Sequence, residues 1–232
     1  MEPPEHCRYR SASDQAFLPA QIRKFEPRFR EIVKEAVDRL MERDGECDFV
    51  QELAAQYPLD AVLEMLGVPP EDYGLMLKLT QDTFGDDPDW KREDVPASPE
   101  AMAQQWHASL QDVYEYFEVI RKDRLANPRE DLSTVIVTAR LERGELMPER
   151  IQNHMTSSIA LAGHDTTNSA ISAAMHGLAL FPDQLEKVKA DLSLVPAWST
   201  RACAGEPRPS TSCGTRPVTP RSAVSRSRTW IG

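Results

Sequence analysis

Asp165 and Thr166 stand side by side in LAGHDTTNSA, residues 161–170, inside a long run of otherwise apolar and small residues. A carboxyl beside a hydroxyl can relay protons, provided both open onto a shared cavity. The simpler reading is a solvated acid next to a threonine whose hydroxyl turns back to the carbonyl four residues earlier. Spacing alone leaves both open. His6 and Arg10 form a second candidate set near the start of the chain. Four residues apart, they share one helix face, where two donors could grip a pair of carboxylates or simply meet solvent.

The element that must position Asp165 and Thr166 reads as one helix from Met147 to about Leu180, roughly 50 Å at 1.5 Å per residue. Pro148 suits its first turn, and Phe181-Pro182 stops it. Asp and Thr are weak helix formers, and Gly163 costs roughly 1 kcal/mol more, so local stability does not explain the centre of this helix. Stepping by four gives Ser158, Ala162, Thr166, Ala170 and Ala174, a ridge of small side chains. Either a second helix packs closely there or a flat ligand lies against it. A close-packed ridge has no use for a buried acid, which weakens the first alternative.

The remaining pattern is helical almost throughout. Phe25, Phe29, Ile32, Val33, Ala36, Val37 and Leu40 fall on one face of a helix from Ala20 to Met41. A second helix is expected from about Tyr57 to Leu66, ended by Gly67-Val68-Pro69-Pro70, and a third from about Glu71 to Phe84. The acidic stretch from Gly85 to Val95 reads as a loop. Ser98-Pro99 caps a long helix to about Leu125, with Trp106, Leu110, Val113, Phe117 and Ile120 as its inner stripe. Shorter helices are expected from about Leu132 to Leu141, ahead of a turn at Gly144, and from Asp183 to Asp191. The fold class is mainly α, without convincing strands.

Composition narrows the function classes. The 232 residues carry a net charge of −10, unevenly spread. From Trp198 to Gly232 there are six arginines, no lysine and one acid, Glu206, which makes +5; residues 1–197 hold the other 21 basic and 36 acidic side chains, or −15. An acidic body argues against nucleic acid as a partner. Ser, Thr, Pro and Arg supply 21 of the last 35 residues, with no apolar period, so 198–232 reads as a disordered tail after a domain spanning 1–197. Cys7, Cys47, Cys203 and Cys213 lack the close pairing of a zinc site or disulfide framework. No apolar stretch is long enough to span a membrane, and Met1 is followed by Glu2-Pro3-Pro4 rather than a basic and apolar leader, so a cytoplasmic protein without membrane contact is expected.

Ala162-Gly163-His164-Asp165-Thr166-Thr167 resembles the A-G-x-D/E-T-T signature of the long distal helix of cytochrome P-450 monooxygenases. Glu2-Pro3-Pro4-Glu5-His6-Cys7-Arg8-Tyr9-Arg10, followed by Ala16-Phe17, resembles the bacterial-type D-P-P-E-H-x-x-x-R pattern. FVQELAAQYPLDAVLEMLGVPPED, residues 49–72, and Phe181-Pro182-Asp183-Gln184 are similar to further family segments, so the likeness runs nearly continuously over 1–197. The resemblance implies a partial cytochrome P-450 fold with haem as cofactor. It further implies proton delivery by Asp165 and Thr166, an oxygen groove shaped by Ala162 and Gly163, and haem propionates held by His6 and Arg10. The implied activity is hydroxylation of a small apolar organic substrate with dioxygen, using electrons from a ferredoxin-type or other redox partner.

Three family features are missing from the 232 residues. The F-x-x-G-x-x-x-C-x-G loop, whose cysteine thiolate ligates the iron and favours O–O cleavage, does not occur. Cys203-Ala204-Gly205 imitates its end without the upstream Phe and Gly, so no metal ligand is assigned. The E-x-x-R pair expected beyond Asp191 and the sheet-rich region expected before Met1 are also absent. The expectation is therefore an inactive fragment, with a non-enzymatic helical module binding a ligand or partner, or a pseudogene product, as the alternatives. The tail composition is that of a GC-rich gene read out of frame. The coding DNA, read one base back from the Ala197 codon, is expected to run on through an E-x-x-R string; sequencing across that codon checks this, and an early stop refutes it.

Overall fold

The computed structural model describes residues 5–14, 17–43, 46–84, 98–196 and 198–199. The expected loop from Gly85 to Val95, Glu2 to Pro4, Ala16, Cys203, Cys213 and the tail beyond Ser199 lie outside them. The chain divides into two units, Met1–Thr166 and Thr167–Gly232.

In the first unit, α1 (Glu5–Asp14) and α2 (Pro19–Met41) precede a π-helical turn at Val50–Ala54 that runs into α3 (Gln56–Leu66). A 3-10 turn at Pro70–Asp72 leads into α4 (Tyr73–Phe84), and α5 (Pro99–Ala126) and α6 (Leu132–Thr138) follow. The long helix α7 (Glu149–Leu180) starts in this unit. The punctuation explains these limits. Pro19 and Pro99 each occupy a first turn, where a missing N–H costs nothing, and Ser98 caps α5 by accepting from Ala101 N at 3.1 Å. Gly67 ends α3 in the left-handed region at φ 68°, with Gly67 N donating to Glu64 O and Val68 N to Leu63 O.

One core joins these helices. Leu59, Val62, Leu63 and Leu66 of α3 meet Met76 and Leu79 of α4, Val113, Phe117 and Ile120 of α5, Leu132 and Ile136 of α6, and Ala160 and Leu161 of α7. Each large side chain so buried contributes roughly 1.5–3 kcal/mol. A polar hub stands at the edge of this core. Arg124, 1% exposed, donates to Asp131, Asp123 and the Gly67 carbonyl. Asp131 also caps α6 by accepting from Thr134 N at 2.7 Å, while Ser133 Oγ donates to Leu66 O at 2.7 Å. One guanidinium thus links the ends of α3 and α5 to the start of α6. Gly67 is doubly required, because a Cβ there would also collide with the Asp131 carboxylate.

In the second unit, α7 continues to Leu180, Pro182 opens α8 (Pro182–Ala190), and Asp191 caps a 3-10 turn at Leu192–Leu194 by accepting from Ser193 N at 2.9 Å. Ser199 Oγ donates to Val195 O at 2.9 Å, so Trp198 and Ser199, placed in the tail by composition, still hold a helical turn.

Several boundaries differ from expectation. The helix expected to reach Leu141 ends at Thr138, where Ala139 turns extended and Arg140 bridges Leu146 across a turn closed by Gly144 at φ 82°. That bridge is the nearest approach to a strand among the described residues. Trp106 and Val37, assigned to inner faces, are 45% and 43% exposed.

Replacing Arg124 by Met strands the Asp131 carboxylate in the core, which is expected to cost about 3–5 kcal/mol. Denaturant unfolding measures it; a loss below about 1 kcal/mol would show that the hub does not hold the three helices.

Candidate functional site on the long helix

Within the first unit, α7 turns a polar and largely engaged face inward, with Asn153 Oδ1 left without a partner among the described residues. Gln152 Nε2 donates to Val137 O at 3.0 Å and Met147 O at 2.8 Å, and Asn153 Nδ2 donates to Tyr114 O at 2.9 Å. Thr156 and Ser157 return their hydroxyls to α7 carbonyls. Buried polar groups demand such partners, so these bonds fix which face of α7 meets α5 and α6.

Two further contacts set the same helix at its centre. A Cβ on Gly163 would stand 2.9 Å from Val62 Cγ2, closer than side chains tolerate, so glycine lets the α7 backbone lie against α3. Next to it, His164 is 5% exposed, and its Nε2 lies 2.7 Å from Ala55 O. A carbonyl only accepts, so Nε2 carries the proton and Nδ1 is the bare nitrogen; Nδ1 is buried without a partner among the described residues. Burial lowers the His164 pKa below its ordinary value, against smaller upward pulls from the Ala55 carbonyl and Asp165.

With Gly163 and His164 held inward, Ala162 and Thr166 are exposed, Asp165 is half-buried between them in sequence, and Ser158 one turn earlier is half-buried. Thr166 Oγ1 donates to Ala162 O at 2.6 Å, as the simpler reading expected. The helix stays α-helical through this stretch, without a local widening. The ridge Ser158, Ala162, Thr166 is not the close-packed seam in this unit. That seam runs through Ala160, Gly163 and His164 instead.

His6 and Arg10 are exposed one turn apart on α1, with Arg10 Nε 3.6 Å from Asp14 Oδ1. Other faces of α1 attach it. Arg8 pairs with Glu145, and Tyr9 packs on the cluster of Ala139, Met147 and Ile151 that Met155 also joins. Ala162 lies seven residues beyond Met155, about 10 Å along α7. Tyr9 of α1 thus packs near the part of α7 that precedes Ala162. Sequence reasoning passed over His164; a lone ring inside an apolar helix was its one signal. No group of three or more metal-ligating side chains occurs among the described residues, and no described helix is long and apolar enough to cross a membrane.

These features define, in the first unit, a set of packed helices against which α7 is laid with Ala162 and Thr166 left exposed. No family model matches the chain. Among known proteins, cytochrome P450-terp of a Pseudomonas species is 40% identical over 198 residues, 84% of this chain and 46% of that protein. A steroid C26-monooxygenase of Mycolicibacterium smegmatis is 28% identical over 190 residues, 82% of this chain and 42% of that one. The crystal structure of CYP108D1 from Novosphingobium aromaticivorans superposes with a TM-score of 0.73 at 34% identity, covering 87% of this chain and 46% of that one. The chain is a homologue of bacterial cytochromes P450 and carries part of their fold. It spans about half the length of the curated relatives it matches.

The cofactor these homologues imply is haem. The described residues fit one side of such a group. Ala162 and Thr166 leave a surface without bulk, and His6 and Arg10 offer two donors. They do not supply a thiolate for its iron, because Cys7 and Cys47 are free, exposed and outside any F-x-x-G-x-x-x-C-x-G loop.

A folded-state pKa below the unfolded value means that the unfolded chain takes up the proton first, so the His164 contribution is full above about pH 6.5 and is lost as pH falls below it. His164→Gln keeps an N–H donor for Ala55 but does not titrate. Its unfolding midpoint is expected to fall less than that of the parent chain between pH 7.5 and 5.5; equal losses would show that His164 is not the sensing group.

Proposed function

We propose that residues 1–197 form the oxygen-facing part of a haem-thiolate monooxygenase, followed by a separate segment, 198–232. The observation that carries this is the exposure of Ala162 and Thr166 one turn apart on a helix whose neighbouring residues, Gly163 and His164, are pinned to α3 and to Ala55. Ala162 shapes the groove, Gly163 sets its place by letting α7 lie against Val62 of α3, and His6 and Arg10 would hold the propionates by charge-assisted hydrogen bonds. Haem, when bound, supplies the iron centre at which dioxygen chemistry occurs.

The remaining steps belong to this chain's side chains. Asp165, half-buried beside the groove, takes up a proton from solvent. Thr166 Oγ1, its own proton donated to Ala162 O at 2.6 Å, turns its lone pairs to the groove, where it accepts a hydrogen bond and holds the proton donor in place. The substrate is a small apolar organic molecule, and the similarity to a steroid monooxygenase supports that class. Electrons come from a ferredoxin-type or other redox partner, and the protein works in the cytoplasm.

The thiolate loop that promotes O–O cleavage does not occur within the 232 residues, so oxygenation at this site would need a thiolate that these residues do not supply. A second reading, a non-enzymatic module that binds an apolar ligand or partner, is favoured by the same open face of α7. The carbon monoxide difference spectrum of the purified, reduced chain with added haem separates the two. Haem uptake without a thiolate-type Soret band is expected; a thiolate-type band would overturn the inactive assignment, and no uptake by a folded chain would favour the module.

A further inference from the structure

A cavity lies in the first unit, lined by α2, the end of α3, the connection from α5 to α6 and the start of α6, with no α7 residue in its wall. Its volume is about 380 Å³, within the roughly 300–1,000 Å³ typical of small-molecule sites. Phe25, Met65, Leu132 and Val135 form apolar walls, and Phe25 is braced by stacking on Phe29 with ring centroids 6.0 Å apart. Two cations, Lys24 and Arg129, stand at this apolar cleft.

Their charges are not equally committed. Lys24 is exposed and has no ion pair among the described residues. Arg129 reaches Asp123 through Nη2 at 3.3 Å, an exposed contact of small worth. The acids of the wall differ as well. Asp131 is occupied by Arg124 and by the Thr134 N–H, so its charge is already answered. Glu130 is exposed and stands as the one acid of the wall without a cation partner of its own among the described residues.

We propose that this cleft binds a small amphipathic carboxylate, its apolar chain between Phe25, Met65 and Leu132 and its head group held by Lys24 with help from Arg129. The hydrophobic walls set affinity, and Lys24 selects for an anion. Glu130 opposes the same head group and keeps the affinity modest. The site is independent of the haem-facing side of α7, so it stands whether or not this chain takes up haem.

Calorimetry on the full chain with octanoate, and with octanol as the neutral molecule of the same chain length, tests it. Octanoate is expected to bind with one-to-one stoichiometry and more tightly than octanol. Lys24→Gln and Arg129→Gln should each weaken it about threefold, the size of an exposed charge contact, whereas Glu130→Gln should tighten it. Val135→Trp, at a partly exposed wall position, should abolish binding with the helical circular dichroism retained; Gln21→Trp serves the same purpose on the α2 wall if that variant unfolds. Equal affinity for octanol and octanoate, indifference to Lys24→Gln, or no octanoate binding by the folded chain would overturn the assignment.

Discussion

The rotation of α7 about its own axis is the constraint on which the rest of the molecule's chemistry depends. A helix presents a new residue every 100° or so, and a turn of one residue would exchange Thr166 for Asp165 on the open side. Two contacts prevent this. The missing side chain at Gly163 admits Val62 of α3, and the His164 ring reaches the Ala55 carbonyl. One contact depends on shape and the other on direction, so together they fix depth and angle. The polar ladder of Gln152 and Asn153 repeats the same setting about three turns upstream.

That setting holds only because α3 itself is fixed. Its C-terminus is gripped through the Gly67 carbonyl by Arg124 and through Leu66 O by Ser133, while its apolar face fills the common core. The charges at this hub are compensated by hydrogen bonds on nearly every side, which is the condition under which a buried ion pair specifies geometry rather than merely costing desolvation. The chain therefore uses apolar burial to hold its helices together and a few directed polar contacts to choose their angles.

Much of this fold was legible in the sequence. The 3.6-residue period of Ile32 and Ala36, or of Val113, Phe117 and Ile120, states which face is apolar, and Pro19, Gly67, Pro99 and Pro182 state where helices begin or end. Trp106 shows the limit of that reasoning. A stripe names a face but not how far along the helix a neighbour reaches, and the Trp106 end stays exposed. At the candidate site, the return of Thr166 to Ala162 was one of two readings that the spacing left open. Gly163 and His164 could not be read, because their reasons are Val62 and Ala55, about a hundred residues away. Arg124 was silent for the same cause: a single arginine carries no sign of burial until Asp131 and Gly67 are folded around it.

The π-helical turn at Val50–Ala54 links these two levels. A π-turn holds one residue more than an α-turn, and here it delivers the chain to Ala55, whose carbonyl receives His164. Loss of one residue from this turn would leave an unbroken α-helix running into α3, tidier by local rules. It would also swing the Ala55 carbonyl by about 100° relative to Phe49 and the chain before it. The extra residue is thus a spacer that lets α2 and α3 each keep their own packing while one carbonyl faces the long helix. In a lineage of such proteins, the length of this segment would be constrained more tightly than its side chains.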